Sequence, residues 1–269
     1  MEITGHMLVK NEENWIWFAI QSILPHVKEL IICDTGSTDR TVEIIELAQK
    51  NKLGSKIKFY SRPIENRTEI VDRRQEMLEQ TTTEWFLLVD GDEVWSQNSI
   101  TKLLKQLEQA NKEVLGAVVR TRNCVGDLYH YQPESAGEYH LKGRKGHLTI
   151  RAYRKDPTYS WKGEYPLEGY LSRDNELLNT QDDKLVFVDT YYYHLTHLKR
   201  STPTDSSKVI DRPQKYKLEM GMLAKKSEIP EVFSLDRPEI VPNPFVSYSL
   251  LEKLIAFVVT PLKNLKRAL

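Results

Sequence analysis

Residues 84–94 read Glu84-Trp85-Phe86-Leu87-Leu88-Val89-Asp90-Gly91-Asp92-Glu93-Val94. The run from Glu84 to Val89 is too apolar for a strand with an exposed face, so it predicts a strand buried on both sides. It stops at two carboxylates set two residues apart. Both can reach a ligand at the strand end, because Gly91 permits a turn between them. Oxygen ligands of this kind suit Mg²⁺ or Mn²⁺, which bridges phosphate oxygens and neutralises their charge. The plainer reading is a solvated Asp-Gly-Asp turn. Its place directly after so apolar a strand weighs against that reading.

The same alternation extends in both directions. Residues 3–9 predict a short strand and residues 12–24 a helix that Pro25 stops. Residues 29–33 form an apolar strand, residues 41–50 return to helical spacing, and residues 57–60 are a further strand. Residues 68–80 are polar but helix-compatible. Beyond the central stretch, residues 100–109 read as helix and 116–120 as strand. Strands separated by helices predict a Rossmann-like α/β fold, with a mostly parallel central sheet flanked by helices. In such sheets ligands bind at the C-terminal ends of the strands. Three polar clusters, residues 10–13, 34–39 and 90–93, each follow a predicted strand. No GxGxxG follows the first strand, which disfavours a dinucleotide fold of the glycine-rich type.

Three segments are expected along the chain: a nucleotide-binding half over 1–122, an acceptor-side half over 123–229, and a proline-containing linker with an amphipathic tail over 230–269. The middle is rich in Tyr, Gly, His and Arg, with short strands expected at 147–153 and 185–189. A helix is expected over 215–225. Residues 230–244 hold four prolines and predict irregular chain.

Composition narrows the function classes. The 38 basic and 38 acidic residues cancel, which argues against nucleic acid as the main partner. Cys33 and Cys124 lie far apart and outside any CxxC pair, so neither a disulfide framework nor a structural zinc site is expected, and the chain reads as cytoplasmic. No secretion signal or apolar run of about 20 residues is present, so any membrane contact is expected to be peripheral, at the inner face. Residues 250–269 carry Lys253, Lys263, Lys266 and Arg267 against Glu252 around an apolar centre. That tail suits an anionic membrane surface, a dimer contact or a helix packed on the body, with Pro261 expected to bend or end it.

The opening strand with Lys-Asn-Glu-Glu (10–13), the turn Asp34-Thr35-Gly36-Ser37-Thr38-Asp39-Arg40-Thr41 and the Asp90-Gly91-Asp92 strand end together resemble the family 2 glycosyltransferases of the GT-A fold. The resemblance covers roughly the first 95 residues. It implies a sugar transferase using a nucleoside-diphosphate sugar, a UDP-sugar favoured, with Mn²⁺ or Mg²⁺ as cofactor and a glycan or lipid-linked acceptor. Lys10 and Glu12 would then line the donor site, Asp34 would approach the base or ribose, Asp90 the ribose or sugar, and Asp92 the metal. Asp39 also reads as a simple helix cap.

The second half resembles small members of that family in which an Arg-rich strand precedes Trp-x-Gly and an acid. Here these are Arg151-Ala152-Tyr153-Arg154, then Trp161-Lys162-Gly163-Glu164, and Glu168. The resemblance implies Glu168 as the base for inverting transfer, with Glu164 second, because Leu167 stands where a His is usual. Either Glu also reads as an exposed loop residue. Arg151 and Arg154 are candidates to hold diphosphate or acceptor, and Trp161 to stack on a sugar or fill the core. Of His194 and His197, His197 is favoured to join Asp92 at the metal, with Lys199 clamping phosphate. Two rival functions are a nucleotidyltransferase of similar fold and a catalytically silent sugar-binding module.

Overall fold

The structure is a computed structural model that describes residues 1–198 and 217–268. Lys199 and the polar stretch 202–214 lie outside the described residues.

The strands are β1 (Ile3–Val9), β2 (Glu29–Asp34), β3 (Ile57–Ser61), β4 (Trp85–Leu88), β5 (Glu93–Val94), β6 (Gly116–Asn123), β7 (His130–Tyr131), β8 (Tyr139–Leu141), β9 (Arg144–Gly146), β10 (Leu148–Arg154), β11 (Tyr159–Lys162), β12 (Gly169–Ser172), β13 (Leu185–His194) and β14 (Met222–Leu223). The helices of more than one turn are α1 (Ile16–Ile23), α2 (Thr41–Gln49), α3 (Thr68–Gln80), α4 (Gln97–Glu108) and α5 (Leu250–Ala268).

Among the described residues one large sheet runs β3-β2-β1-β4-β10-β6-β13-β5. The β3-β2-β1-β4 half is parallel throughout, and β13 lies parallel to β6. β10 enters antiparallel between β4 and β6. The core confirms why residues 85–89 decide the fold: Trp85, Phe86, Leu87, Leu88 and Val89 are all buried, with Leu87 and Val89 facing one apolar layer and Phe86 and Leu88 the other. A strand with both faces in apolar layers belongs in the middle of a covered sheet.

Several elements differ from the sequence expectation: α1 begins at Ile16 and not at residue 12, β6 reaches Asn123, and three others differ more. β13 continues past residue 189 to His194, because its second part pairs with β6 on one side and β5 on the other. The helix expected over 215–225 is absent from its described part, where Met222–Leu223 instead pairs with β7. Finally, of the two expectations for Pro261, a bend or an end of the helix, the end does not occur, since α5 continues through it to Ala268. Pro261 lacks the N–H of a normal helical residue, and beside it the Thr260 hydroxyl donates to the Ala256 carbonyl at 2.6 Å.

Candidate active site

The loops after β1 and β2 fold as one unit. The Asn11 N–H donates to Ser37 Oγ at 2.9 Å, and its side-chain oxygen accepts from the Thr38 N–H at 2.8 Å. Asn11 holds φ at +57°, a conformation that Asn tolerates better than most residues. Next to it the Glu12 N–H donates to Thr41 Oγ1 at 2.7 Å, while the Glu12 carbonyl accepts from Trp15 and Ile16 and so opens α1. Asp39 takes the capping role: Oδ1 accepts from the Thr41 N–H and Oδ2 from the Glu13 N–H. Asp34 is buried, and its carboxylate accepts from the N–H groups of Gly36 and Ser37 and from Ser61 Oγ. It therefore holds the turn and does not line the pocket, where its neighbour Thr35 does.

The pocket, about 110 Å³, opens at the C-terminal ends of β1 and β4. Lys10 and Glu12 line it on one side, Asp90, Gly91 and Asp92 on another, and His194 and Thr196 on a third. Gly91 serves by its lack of bulk as well as in the turn. A Cβ there would stand 3.0 Å from Glu12 Cγ and 3.1 Å from Val9 Cγ1, so a larger residue would require the Glu12 and Val9 side chains to shift by a few tenths of an ångström.

β5 pairs with β13 so that His194 lies opposite Glu93, and the Leu195 N–H donates to the Asp92 carbonyl at 2.9 Å. This register brings His194 Nε2 to 3.4 Å from Asp92 Oδ1. On its other side, His194 Nδ1 donates to Asn123 Oδ1 at 3.2 Å, and Asn123 Nδ2 donates to His147 Nδ1 at 3.0 Å. Those two bonds fix the His194 ring and leave Nε2 directed at Asp92. Burial works against the imidazolium, but the Asp92 carboxylate outweighs it and raises His194 above its ordinary value. His197, the histidine favoured from the sequence, is buried and does not line the pocket. The reason is the unexpected length of β13, which carries His194 to the strand end and leaves His197 in the chain beyond it.

No group of three or more His, Cys, Asp and Glu side chains positioned to hold a metal occurs among the described residues. Asp92 and His194 supply one carboxylate oxygen and one imidazole nitrogen. That donor pair fits a divalent ion such as Mn²⁺ whose other ligands come from diphosphate and water.

Arg151 and Arg154 part company. β10 is antiparallel to β4, so Arg151 lies toward the Asp90 end of β4 while Arg154 pairs opposite Trp85 at its beginning. Arg151 forms an ion pair with Glu93, stands 3.5 Å from Asp90 Oδ2 and donates from Nε to the Tyr192 hydroxyl at 3.1 Å. Arg154 instead bonds Glu84 at 2.5 Å and the Asn111 carbonyl at 2.8 Å, away from the pocket. Burial pushes the Glu93 carboxyl up to about 7 even with Arg151 beside it. Partial burial also opposes ionisation of Asp90, but Arg151 and Arg74 overcome it and hold that carboxyl below its usual range.

The remaining wall comes from α3 and the 161–168 loop. Ile70, Arg74 and Tyr165 line the pocket. Arg74 Nε stands 3.5 Å from Glu168 Oε1, and its guanidinium lies 5.5 Å over the Trp161 ring. Glu168 Oε2 is buried without a hydrogen-bond partner, so Glu168 reaches the pocket wall through Arg74 with acceptor capacity left over. The Glu164 residue is exposed. Trp161 is 7% exposed and packs edge-on against Tyr153 and Phe86, which makes it core.

Arg74, Glu93 and Asn123 are the site residues that sequence reading missed. For Arg74 a signal existed: an Asp72-Arg73-Arg74-Gln75 run inside a helix that must cover an apolar sheet.

The pattern of "Glycosyl transferase family 2" matches residues 6–163 of the chain. Among solved structures, S. aureus TarS 1-349 in complex with UDP-GlcNAc is similar at 18% identity over 75% of this chain and 59% of that one, with a TM-score of 0.50. TarS 1-349 alone gives 17% identity, 73% and 61% coverage and a TM-score of 0.48. Glucosyl-3-phosphoglycerate synthase from Mycobacterium tuberculosis, in complex with Mn²⁺ and UDP-glucose, gives 21% identity over 46% of this chain and 44% of that one, with a TM-score of 0.34. The chain thus spans about three-fifths of TarS 1-349 and 37% of the longer TarS chain. No curated protein sequence matches it. The match over 6–163 takes in all three polar clusters and ends at Gly163, past β10 and its Arg151, and on it the chain belongs to glycosyl transferase family 2.

Proposed function

We propose that this protein transfers a hexose from a nucleoside-diphosphate sugar, with a UDP-sugar favoured, to a hydroxyl of a glycan or lipid-linked acceptor, with inversion at the anomeric carbon. The observation that carries this reading is the approach of His194 to Asp92 at 3.4 Å, in a pocket that Lys10 and Glu12 also line. The UDP-GlcNAc complex of the similarly folded TarS 1-349 supports a UDP-sugar.

Asp92 and His194 would hold Mn²⁺ or Mg²⁺, which when bound supplies positive charge opposite the leaving diphosphate. Lys10 adds a cation from another side of the same pocket. Asp90, ionised under the influence of Arg151 and Arg74, accepts hydrogen bonds from a ribose or sugar hydroxyl. Arg151 is occupied with Glu93 and Tyr192 and acts by fixing Asp90. Glu168 takes the proton of the acceptor hydroxyl as its oxygen forms a bond to the anomeric carbon. The bond from that carbon to the diphosphate oxygen breaks, and its electron pair leaves with the nucleoside diphosphate. Arg74 keeps the Glu168 carboxylate at the pocket wall.

Calorimetric titration with UDP, GDP and CDP, each with and without Mn²⁺, tests the donor half of this reading. Metal-dependent micromolar binding of one nucleotide, lost in Asp92→Ala, is the expected result. A folded protein that binds none of the three overturns it.

A further inference from the structure

Helix α5 is mounted with its apolar stripe largely exposed, although along one edge Leu250, Lys253, Leu254 and Phe257 also line an apolar cavity with Val125, His130 and Tyr248 of the body. At roughly 100° per residue, Leu250, Leu254, Phe257, Val258, Leu262 and Leu265 fall on one side of the helix, and each is 58–77% exposed. The opposite side makes the contacts with the body. Ala256 is fully buried there, and Thr260 Oγ1 accepts from the Met220 N–H at 2.7 Å. Arg267 donates to the buried Glu219 carboxylate at 2.8 Å, and the Lys263 ammonium stands 3.5 Å from it. Surface helices of globular proteins normally turn the apolar side inward. Here charged and small residues do the docking, so the exposed stripe is not surplus core. A contiguous exposed apolar surface of this kind marks an interaction site.

The charges that border the stripe identify what it meets. Lys253 lies along one edge and Lys266 along the other, both exposed. The one acid of the helix, Glu252, is turned to the helix start, where its carboxylate accepts from the Ser249 N–H at 2.7 Å. A second copy packed stripe to stripe would therefore bring lysines together with no carboxylate to answer them. An anionic lipid surface answers both features, with headgroups for the lysines and acyl chains for the stripe. No helix among the described residues is long and apolar enough to cross a membrane, so the contact is in the plane of the interface.

We propose that the outward face of α5, from Leu250 to Leu265 between Lys253 and Lys266, seats this protein on an anionic membrane surface. The contacts of Lys263 and Arg267 with Glu219 tie the helix to the body. The proposal does not depend on the transfer reaction, and flotation measures it without donor or acceptor.

The test floats the full chain with phosphatidylcholine vesicles and with phosphatidylcholine–phosphatidylglycerol vesicles. Binding to the mixed vesicles, weakened by salt, is expected, with less binding to the neutral ones. Leu254→Glu combined with Phe257→Glu should lower partitioning by at least about 10-fold, because two side chains leave the acyl region. Lys253→Glu and Lys266→Glu should each lower it roughly five-fold, on the anionic vesicles alone. All four positions are exposed, and an unchanged melting temperature verifies that the variants fold. No flotation of the parent chain, or equal flotation of the double variant, overturns the proposal. A dimer abolished by the double variant, in a chain that does not float, assigns the face to a second copy and also overturns it.

Discussion

His194 Nε2 stands 3.4 Å from Asp92 Oδ1, and the pairing of β13 with β5 puts it there. Since the Leu195 N–H grips the Asp92 carbonyl as well, the two backbones cannot drift apart without breaking sheet hydrogen bonds, and the Asn123 contact holds the His194 ring. Asp92→Ala and His194→Ala should each weaken Mn²⁺-dependent nucleotide binding by about 10–100-fold or more, while His197→Ala changes it little. Proton competition follows from the same geometry. Asp92 overcomes burial and raises His194 above 6.5, so protonation removes the nitrogen lone pair as pH falls through that raised value. Titration across that range should show metal-dependent affinity falling on the acid side in the parent and a flatter profile in His194→Ala.

The parallel half of the sheet was legible because β1, β2 and β4 are largely buried runs cut off by Pro, Gly and Asx turns, with the half-exposed edge strand β3 continuing their alternation. Residues 3–9 and 68–80, for instance, occur with the bounds expected of them. What the sequence could not convey was direction and partnership. Arg151 and Arg154 look equivalent in the run Arg-Ala-Tyr-Arg, and only the antiparallel entry of β10 beside β4 decides which one meets Asp90. The Tyr191-Tyr192-Tyr193-His194 stretch lacks a polar–apolar alternation, so its strand character depends on neighbours that are distant in sequence. Asp34 showed the opposite limit: its place at a strand tip was foreseen, but the turn N–H groups that occupy its oxygens come from local backbone geometry.

Arg151 and Glu93 form an ion pair with little access to water, their side chains being 12% and 0% exposed. Removing Arg151 takes the cation from a carboxyl already raised to about 7, which then takes up a proton, so the cost lies at or below the roughly 3–5 kcal/mol typical of a broken buried pair. Arg151→Met should therefore lower the urea midpoint and weaken nucleotide binding together, since Asp90 loses the cation that holds it. Glu93→Gln added to Arg151→Met should recover part of the stability, and none of the Asp90-dependent binding. Recovery of both would mean that Arg151 acts on the fold alone.

His6 provides a pH signature independent of the pocket. Its ring is buried, stacks on Phe86 at a centroid distance of 4.7 Å and bonds Thr81 Oγ1 at 2.6 Å. Burial first, and then Arg74 and Lys155, lower its pKa from 6.5 to about 3. Between those values the unfolded chain binds a proton that the folded one refuses, so stability rises with pH across the window. The contribution is complete above 6.5 and is lost as pH falls toward 3. His6→Phe should forfeit about 1 kcal/mol at neutral pH with the lost hydrogen bond, and should show a shallower decline of the urea midpoint between pH 6.5 and 4.

Glu168 and Glu164 belong to one loop but face different surroundings. Glu168 is tied to the pocket wall by Arg74 and keeps a buried oxygen free of hydrogen bonds, while Glu164 is exposed. A base needs a spare acceptor lone pair and a neighbour that fixes its position; Glu168 has an unpartnered oxygen and Arg74 beside it, which is what favours it over Glu164 in the proposed reaction. Glu168→Gln preserves shape and removes the basic oxygen, so kcat should fall by about 10²–10⁴-fold with the nucleotide dissociation constant unchanged. Arg74→Gln should lower kcat and weaken binding together, because Arg74 serves Asp90 as well as Glu168. Glu164→Gln should stay within about two-fold of the parent in both constants. If Glu168→Gln instead kept its kcat, the proton would have to leave by another route. Arg74 would then be a donor-side residue alone, its ion pair with Glu168 serving only to hold the loop.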